Sequence, residues 1–320
     1  MEKTGLNRNM VWLFVVVLLV GTLVVYNIYR GERPYLIVLS SGSPGGVYYP
    51  LGGAMAEVIS NHVEGVRCDS ESTSGSVENI RLVGNRESDL GMVTENAAYK
   101  GVRGEDPFAR PYPVQALFSM YSAPLHIITV QGSGIDSIQD LAGKRVSIDA
   151  PGSGTEEMAR TLLQELDLLD QLRTFNYSQQ EAATALRDGT VDAVFWNFAY
   201  PGSVVMEVSA TRRLHFIPLE APEIERIVEK YPYFMGDIIP AGIYDHQEED
   251  IGVITVNNLL VVRADMDQEL AYQMTRALFE NRQRLVEVHD IARRITLETA
   301  RNTSIEIHPG ALQYFMEMAD

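Results

Sequence analysis

Three short loops carry the residues able to hold a small charged molecule: Ser40–Tyr49, Glu71–Asn79 and Ala150–Glu156. Each is rich in Ser, Gly or Thr, and each joins an apolar run to a segment of helical periodicity. At a helix N-terminus several backbone N–H groups lack partners, and the aligned peptide dipoles add roughly half a positive charge. Glycines let a ligand reach that backbone, so carboxylate or phosphate is held without a basic side chain. One such loop says little, since Ser and Thr cap helices generally. Three of them, with Tyr48-Tyr49 beside the first, point to an anion site. The candidate ligand-binding residues in the first loop are Ser43, Gly45, Gly46, Tyr48 and Tyr49. The second loop supplies Thr73, Ser74, Ser76 and Asn79, and the third Ser153, Gly154 and Thr155. Thr94 and Asn197, each ending an apolar run, complete the set. None of the three loops contains Lys or Arg.

Signatures of catalysis are missing. There is no GxxxxGK[ST] phosphate loop, no HExxH and no Gly-x-Ser-x-Gly elbow; Pro151-Gly-Ser-Gly154 is a superficial likeness. The six histidines (His62, His126, His215, His246, His289, His308) form no pair at metal-ligand spacing. No metal, cofactor or catalytic residue is expected, and the chain reads as a binder, not an enzyme. His126 and His215 fall in strand-like runs as core or edge residues, and His308, before Pro309-Gly310, ties down a turn. Cys68 is the sole cysteine, which excludes an intrachain disulfide framework and a thiolate cluster. The aromatics Tyr231-Pro-Tyr-Phe234 fit packing and ligand contact equally well. A net charge of −17 excludes nucleic acid as a partner, because phosphate contacts need clustered Lys and Arg.

The elements that position these loops alternate. Strands are expected at Tyr35–Leu39, Val66–Ser70, Leu90–Thr94, His126–Val130, Arg145–Asp149, Ala193–Trp196 and His215–Leu219. Helical stripes run through Leu51, Met55, Val58, Ile59 and His62, through Val77, Ile80 and Val83, and through Met158, Ala159, Leu162, Leu163 and Leu166. Val253–Val262 is extended but broken by Asn257-Asn258, and residues 218–246 wrap the surface. From Asp267 onward the chain is mostly helical. Such alternation implies an α/β protein with mainly parallel sheets, whose ligands bind at the carboxyl ends of the strands.

The N-terminus is a separate object. Met10–Tyr26 holds 17 residues without a charge, flanked by Lys3 and Arg8 before and Arg30 and Arg33 after. That is the lower limit for a spanning helix, and Trp12, Tyr26 and Tyr29 suit the interfacial belts. Its exit, Val-Val-Tyr-Asn-Ile-Tyr-Arg, lacks the small residues of a cleavage site, so it reads as an uncleaved anchor rather than a cleaved signal. Residues 1–33 hold four basic and two acidic residues, so the remaining 287 carry −19 and stand off an anionic leaflet.

The motif Ser41-Gly-Ser-Pro-Gly-Gly-Val-Tyr-Tyr-Pro-Leu-Gly-Gly53 resembles the opening of the TAXI family, solute-binding proteins of tripartite ATP-independent periplasmic (TRAP) transporters. Further matches are Ser72–Asn79, Asp140–Val146, Pro151–Glu156, Tyr231-Pro-Tyr233 with Ile239–Gly242, and His308–Ala311, so the resemblance spans about residues 36–316. Ser74 departs from the family, which favours glycine there, as does the anchor-like N-terminus. The resemblance implies a two-domain α/β fold of the type II periplasmic-binding-protein kind, with a hinge; the apolar run Met10–Tyr26, read from its own residues, would precede it as one transmembrane helix. The first lobe would be residues 34–124 and 251–320, the second 125–250, with crossings near Ala123–Val130 and Asp250–Val256. It further implies a small organic anion as ligand, of the dicarboxylate or acidic amino acid class. Capture would occur in the periplasm or on the outer face of the cytoplasmic membrane, for delivery to TRAP membrane subunits. The alternative is a membrane-tethered ligand sensor or interaction module on the same fold.

Overall fold

The structure, a computed structural model, describes residues 12–13, 15–22 and 34–319. The first part of the body runs β1 (Tyr35–Ser40), α1 (Tyr48–His62), β2 (Val66–Glu71), α2 (Ser76–Gly84), β3 (Leu90–Thr94), α3 (Glu95–Arg103) and β4 (Val114–Val130). The second runs β5 (Arg145–Ser147), α4 (Gly154–Glu165), β6 (Arg173–Phe175), α5 (Gln179–Arg187), β7 (Ala193–Asn197), α6 (Ser203–Ser209), β8 (Leu214–Phe216), α7 (Ala221–Lys230) and β9 (Met235–Ile239). The chain then returns through β10 (Ile251–Arg263) to α8 (Gln268–Glu280), α9 (Arg282–Val288) and α10 (Pro309–Glu317).

Strand order is β2-β1-β3-β10-β4-β7-β5-β6, with β9 on β10 and β8 on β4. β1 pairs parallel with β2 and β3, and β5 parallel with β6 and β7. The two long strands join these halves. β4 pairs with β10 over Val114–Pro124, then with β7 over Leu125–Thr129. Pro124, which has no N–H to give a ladder, stands where the partner changes.

Each half is covered by helices on both faces, as parallel strands require. β3 is buried along its whole length. Ile37, Leu39 and Met92 pack on α1, α8 and α10, while Val93 and Val261 pack on α2 and α3. In the other half Val146, Ile148 and Phe195 pack on α4 and α7, and Val194 and Trp196 pack on α5 and α6. β10 changes company along its length. Ile251, Val253, Ile254 and Val256 join the second-half cores, whereas Leu259 to Val262 join the first.

Several expectations need correction. β4 begins at Val114, not His126. Gln115, Ser119, Ser122 and Pro124 hid its first half by interrupting the apolar run. β10 is continuous through Asn257-Asn258; only its register with β4 shifts, after Asn258. Residues 218–246 contain α7 and β9, and Tyr233 and Phe234 there are buried packing residues. β6 and α5 were not anticipated. His62 is exposed and off the buried face of α1. Much of the expected span Met10–Tyr26 lies outside the described residues. Within it, residues 12–13 and 15–22 are helical and expose Trp12, Leu13 and Val15–Val20. Among the described residues no helix is long and apolar enough to cross a membrane.

Candidate functional site

A cleft of about 1030 Å³, counting the part open to solvent, lies between the two halves at the carboxyl ends of the parallel strands. Its floor comes from the two crossing strands. Tyr121 of β4 and Asn258 of β10 meet there, with Asn258 Nδ2 donating to the Tyr121 carbonyl at 3.2 Å. The Tyr48 hydroxyl donates to Asn258 Oδ1, so the first helix is tied to the floor by its own first residue. Burial holds the Tyr48 phenol well above its ordinary pKa, hence protonated.

The first-half wall is built from the loops after β1, β2 and β3. Ser43, Gly45, Gly46 and Tyr48 line it, with Ser74, Ser76 and Thr94 beyond. Ser76 Oγ accepts the Thr94 N–H at 2.9 Å and fixes the second loop to the third strand. Thr94 Oγ1 is buried and has no hydrogen-bond partner. Such a group needs an explanation, because a buried hydroxyl without a partner costs free energy.

The second-half wall comes from the loops after β5, β6 and β7. Asp149, Ser153, Gly154 and Thr155 line it, followed by Ser178, Gln179 and the segment Asn197–Val204. Ser153 caps α4, its Oγ accepting the Glu156 N–H at 3.0 Å. Asn197 Nδ2 donates to the Ala123 carbonyl at 2.7 Å, across the β4–β7 junction. At the rim of α6, Gly202 N–H donates to Tyr244 Oη at 3.0 Å, and that hydroxyl sits 2.9 Å from His126 Nε2. Burial lowers the His126 pKa to about 4, so it is neutral and serves as a core hydrogen-bond post.

The halves touch. Val77 N–H and Glu78 N–H both reach the Gly152 carbonyl, at 3.0 and 3.4 Å. In the same loop Ser74 N–H is taken by Glu78 Oε2 at 2.7 Å and Gly75 N–H by Thr73 Oγ1 at 3.2 Å. Most of this loop's N–H groups thus hold the loop and the opposite half, while that of Ser76 meets no protein acceptor among the described residues. The N–H groups of Val47, Tyr48 and Tyr49 at α1, and of Gly154 and Thr155 at α4, meet no protein acceptor among the described residues.

Three candidates fall outside the cleft. Asn79 is fully buried, donating to the carbonyls of Ser40, Ser41 and Met92, so it locks the loop from behind. Thr73 donates to Asn79 Oδ1 at 2.7 Å. Tyr49 points outward and is half exposed, one helical step away from Tyr48. Arg81 and Arg110 face elsewhere, to the Pro107 carbonyl and to Asn85 Oδ1. The residues that sequence reasoning missed are Tyr121, Asn258, Asp149, Gln179, Phe198 and His289. The last comes from the C-terminal helices, and burial lowers its pKa, keeping the imidazole neutral.

A family model described as "NMT1-like family" matches residues 39–318. Among solved structures, PhnD1 from Prochlorococcus marinus in complex with methylphosphonate aligns with a TM-score of 0.56 at 8% identity, over 89% of this chain and 98% of that one. ArtJ from Geobacillus stearothermophilus, an arginine-, lysine-, histidine-binding protein, gives 0.50 at 14% identity over 82% and 95%. A putative L-cystine ABC transporter from Listeria monocytogenes gives 0.50 at 10% identity over 84% and 99%. At these identities the likeness speaks for the fold, a two-domain α/β architecture of the periplasmic-binding-protein kind.

Proposed function

This chain belongs to the NMT1-like family, and we propose that it captures a small organic anion, of the dicarboxylate or acidic amino acid class, outside the cytoplasmic membrane. One observation carries the reading. Loops from both halves converge on a single cleft, where the unengaged N–H groups of α1 and α4 and the unpartnered Thr94 hydroxyl face the same space. Ligands favour such an interface between domains, and one that touches both lobes stabilises their closure. We place the hinge at Pro124 on β4 and Asn257-Asn258 on β10, where each strand changes core. The lobes would then be about 34–124 with 257–320, and 125–256. The solute leaves chemically unchanged.

The resemblance of the loop motifs to the TAXI family makes TRAP membrane subunits the receiving partner in this proposal. The exposed apolar residues of 12–22 support tethering of the body to the membrane by Met10–Tyr26. Tethering also suits a sensor, whose partner would be a signalling receptor; crosslinking in membranes separates the two by which protein is captured.

Thermal unfolding of the full chain in detergent, screened against carboxylates and amino acids, tests the capture reading. A ligand at 100 times its dissociation constant stabilises by about 2.7 kcal/mol. Solution scattering with that ligand should give a smaller radius of gyration. No stabilisation across the panel, or recovery of an altered solute, overturns the proposal.

A further inference from the structure

Among the described residues, two of the four buried carboxylates have cations: Glu157 has Lys100, and Glu165 has Arg226 and Lys230. Glu95 has none, lies outside the cleft, and is met by Asn257 Nδ2 and the Ser304 N–H. Asp149 also has none, is 7% exposed, and lines the solute cleft. The hydrogen bond that the Asp149 carboxylate accepts is from a neutral donor, the Ala150 N–H at 2.8 Å. Burial pushes its carboxyl up to about 6. No lysine or arginine lines the cleft among the described residues.

We propose that Asp149 receives a cationic amino group of the solute, so that the cleft selects small zwitterions and rejects dianions that lack an amine. This rests on the solute-capture reading, excludes its dicarboxylate class, and makes the amine the common feature of the solutes held. Buried charges are paired in folded proteins, and here the solute supplies the missing partner. An ionised carboxylate has about four acceptor sites, so the single Ala150 N–H leaves room for an ammonium. The anionic end of the same molecule has its own place, at the Gly154 and Thr155 N–H groups or those of α1, beside the Thr94 hydroxyl. A dicarboxylate would instead set a second negative charge near Asp149 with no side-chain cation to offset it. The net charge of −17 adds a repulsive field for dianions at long range.

Other titratable groups face Asp149. Glu156, on its own loop, adds a negative charge that raises the Asp149 pKa, and is itself held by Arg160 Nε at 3.1 Å and Asn176 Nδ2 at 3.0 Å. Across the cleft, burial lowers the His289 pKa and raises those of the Tyr48 and Tyr121 phenols, which stay protonated. Asp149 itself adopts φ +77°, a region that side-chain-bearing residues rarely occupy.

Calorimetric titration of the full chain with matched pairs tests the assignment: L-glutamate against L-2-hydroxyglutarate, L-alanine against L-lactate, taurine against isethionate, with succinate as the plain dianion. The amine-bearing member of the pair that fits should bind at least tenfold tighter, and succinate weakly. Affinity for that member should fall as pH drops below about 6, where Asp149 takes up its proton. Asp149→Asn still offers Oδ1 to the Ala150 N–H; in it the difference within the pair should collapse and the pH dependence flatten. Equal binding within pairs by the wild type, which needs no variant, overturns the inference while solute capture stands. So does selectivity that survives Asp149→Asn. Failure of every member to bind overturns both.

Discussion

Gly46 shows how a single residue can serve the ligand and not the fold. A Cβ built there would meet only the Ser43 carbonyl at 3.5 Å and its hydroxyl at 3.8 Å, both ordinary contacts. Gly46→Val should therefore fold with an unchanged melting temperature, within about 2 °C. The added side chain would occupy the space through which a solute approaches the α1 N-terminus, and affinity should drop by at least tenfold. Calorimetric affinity together with a melting curve checks this; full binding by the folded variant would remove α1 from the site. That Ser43, Gly45 and Gly46 line the cleft was legible because their loop is one of three of the same kind, each leading into a helix. Asp149 was hidden by its neighbours, since Arg145-Val-Ser-Ile-Asp149 reads as a strand and nothing in it signals a positive φ. Asn79 misled in the opposite direction: an amide three residues into a helix looks available, yet it is spent on three backbone carbonyls. Burial of Cys68 in β2 pushes its thiol up to about 12 and leaves it unreactive at neutral pH.

At the scale of elements, the first turn of α4 decides whether the lobes can meet. Gly154 faces β3 and α2 of the other lobe. A Cβ on it would collide with Thr94 Oγ1 and lie 2.7 Å from Ser76 Oγ. Neither atom belongs to the α4 lobe, so Gly154→Ala should leave each lobe folded and obstruct their contact. Gly152 and Gly75 also face the opposite lobe, but they hold φ +83° and +122°, so a side chain at either would strain the backbone as well as the contact. Scattering on Gly154→Ala should show no compaction with ligand, and affinity should fall about tenfold or more; compaction as in the wild type would mean that closure does not pass through this contact. Helix periodicity made α1, α2 and α4 readable, since each buries one stripe. β6 with only three residues and α5 with its alanine-rich face, Ala182, Ala183 and Ala185, gave too little apolar signal to be seen. The first half of β4 escaped because a buried strand tolerates serines that a sequence pattern counts as interruptions.

At the scale of the whole molecule, an ion pair that no local pattern could reveal joins the two lobes. Lys100 lies on α3 of the first lobe and Glu157 on α4 of the second, and they pair with side chains 15% and 4% exposed. Asn96 Nδ2 also donates to Glu157, and Thr161 links the two, accepting from Lys100 at 3.0 Å and donating to Glu157 at 2.8 Å. Burial raises the Glu157 pKa and the lysine opposes that rise, so the carboxylate depends on its partner for its charge. Separation of the lobes would return both groups to water. Closure thus exchanges hydration for pairing, and that exchange is finely balanced. Removing one partner upsets it in a known direction, because a buried charge left alone costs about 3–5 kcal/mol. In Lys100→Ala that cost falls on the closed state and not on the open one, where Glu157 is hydrated. The variant should be more open, with a larger radius of gyration, and should bind solute more weakly. The predicted loss is 10-fold or more, because the solute must now supply the difference in closing energy. Lys100→Met with Glu157→Leu removes the unpaired charge and should recover compactness and much of the affinity. A double-mutant cycle on affinity measures that recovery as a coupling between two residues that do not line the solute cleft. If Lys100→Ala scatters and binds as the wild type does, the pair is a bystander and closure rests on the loops alone.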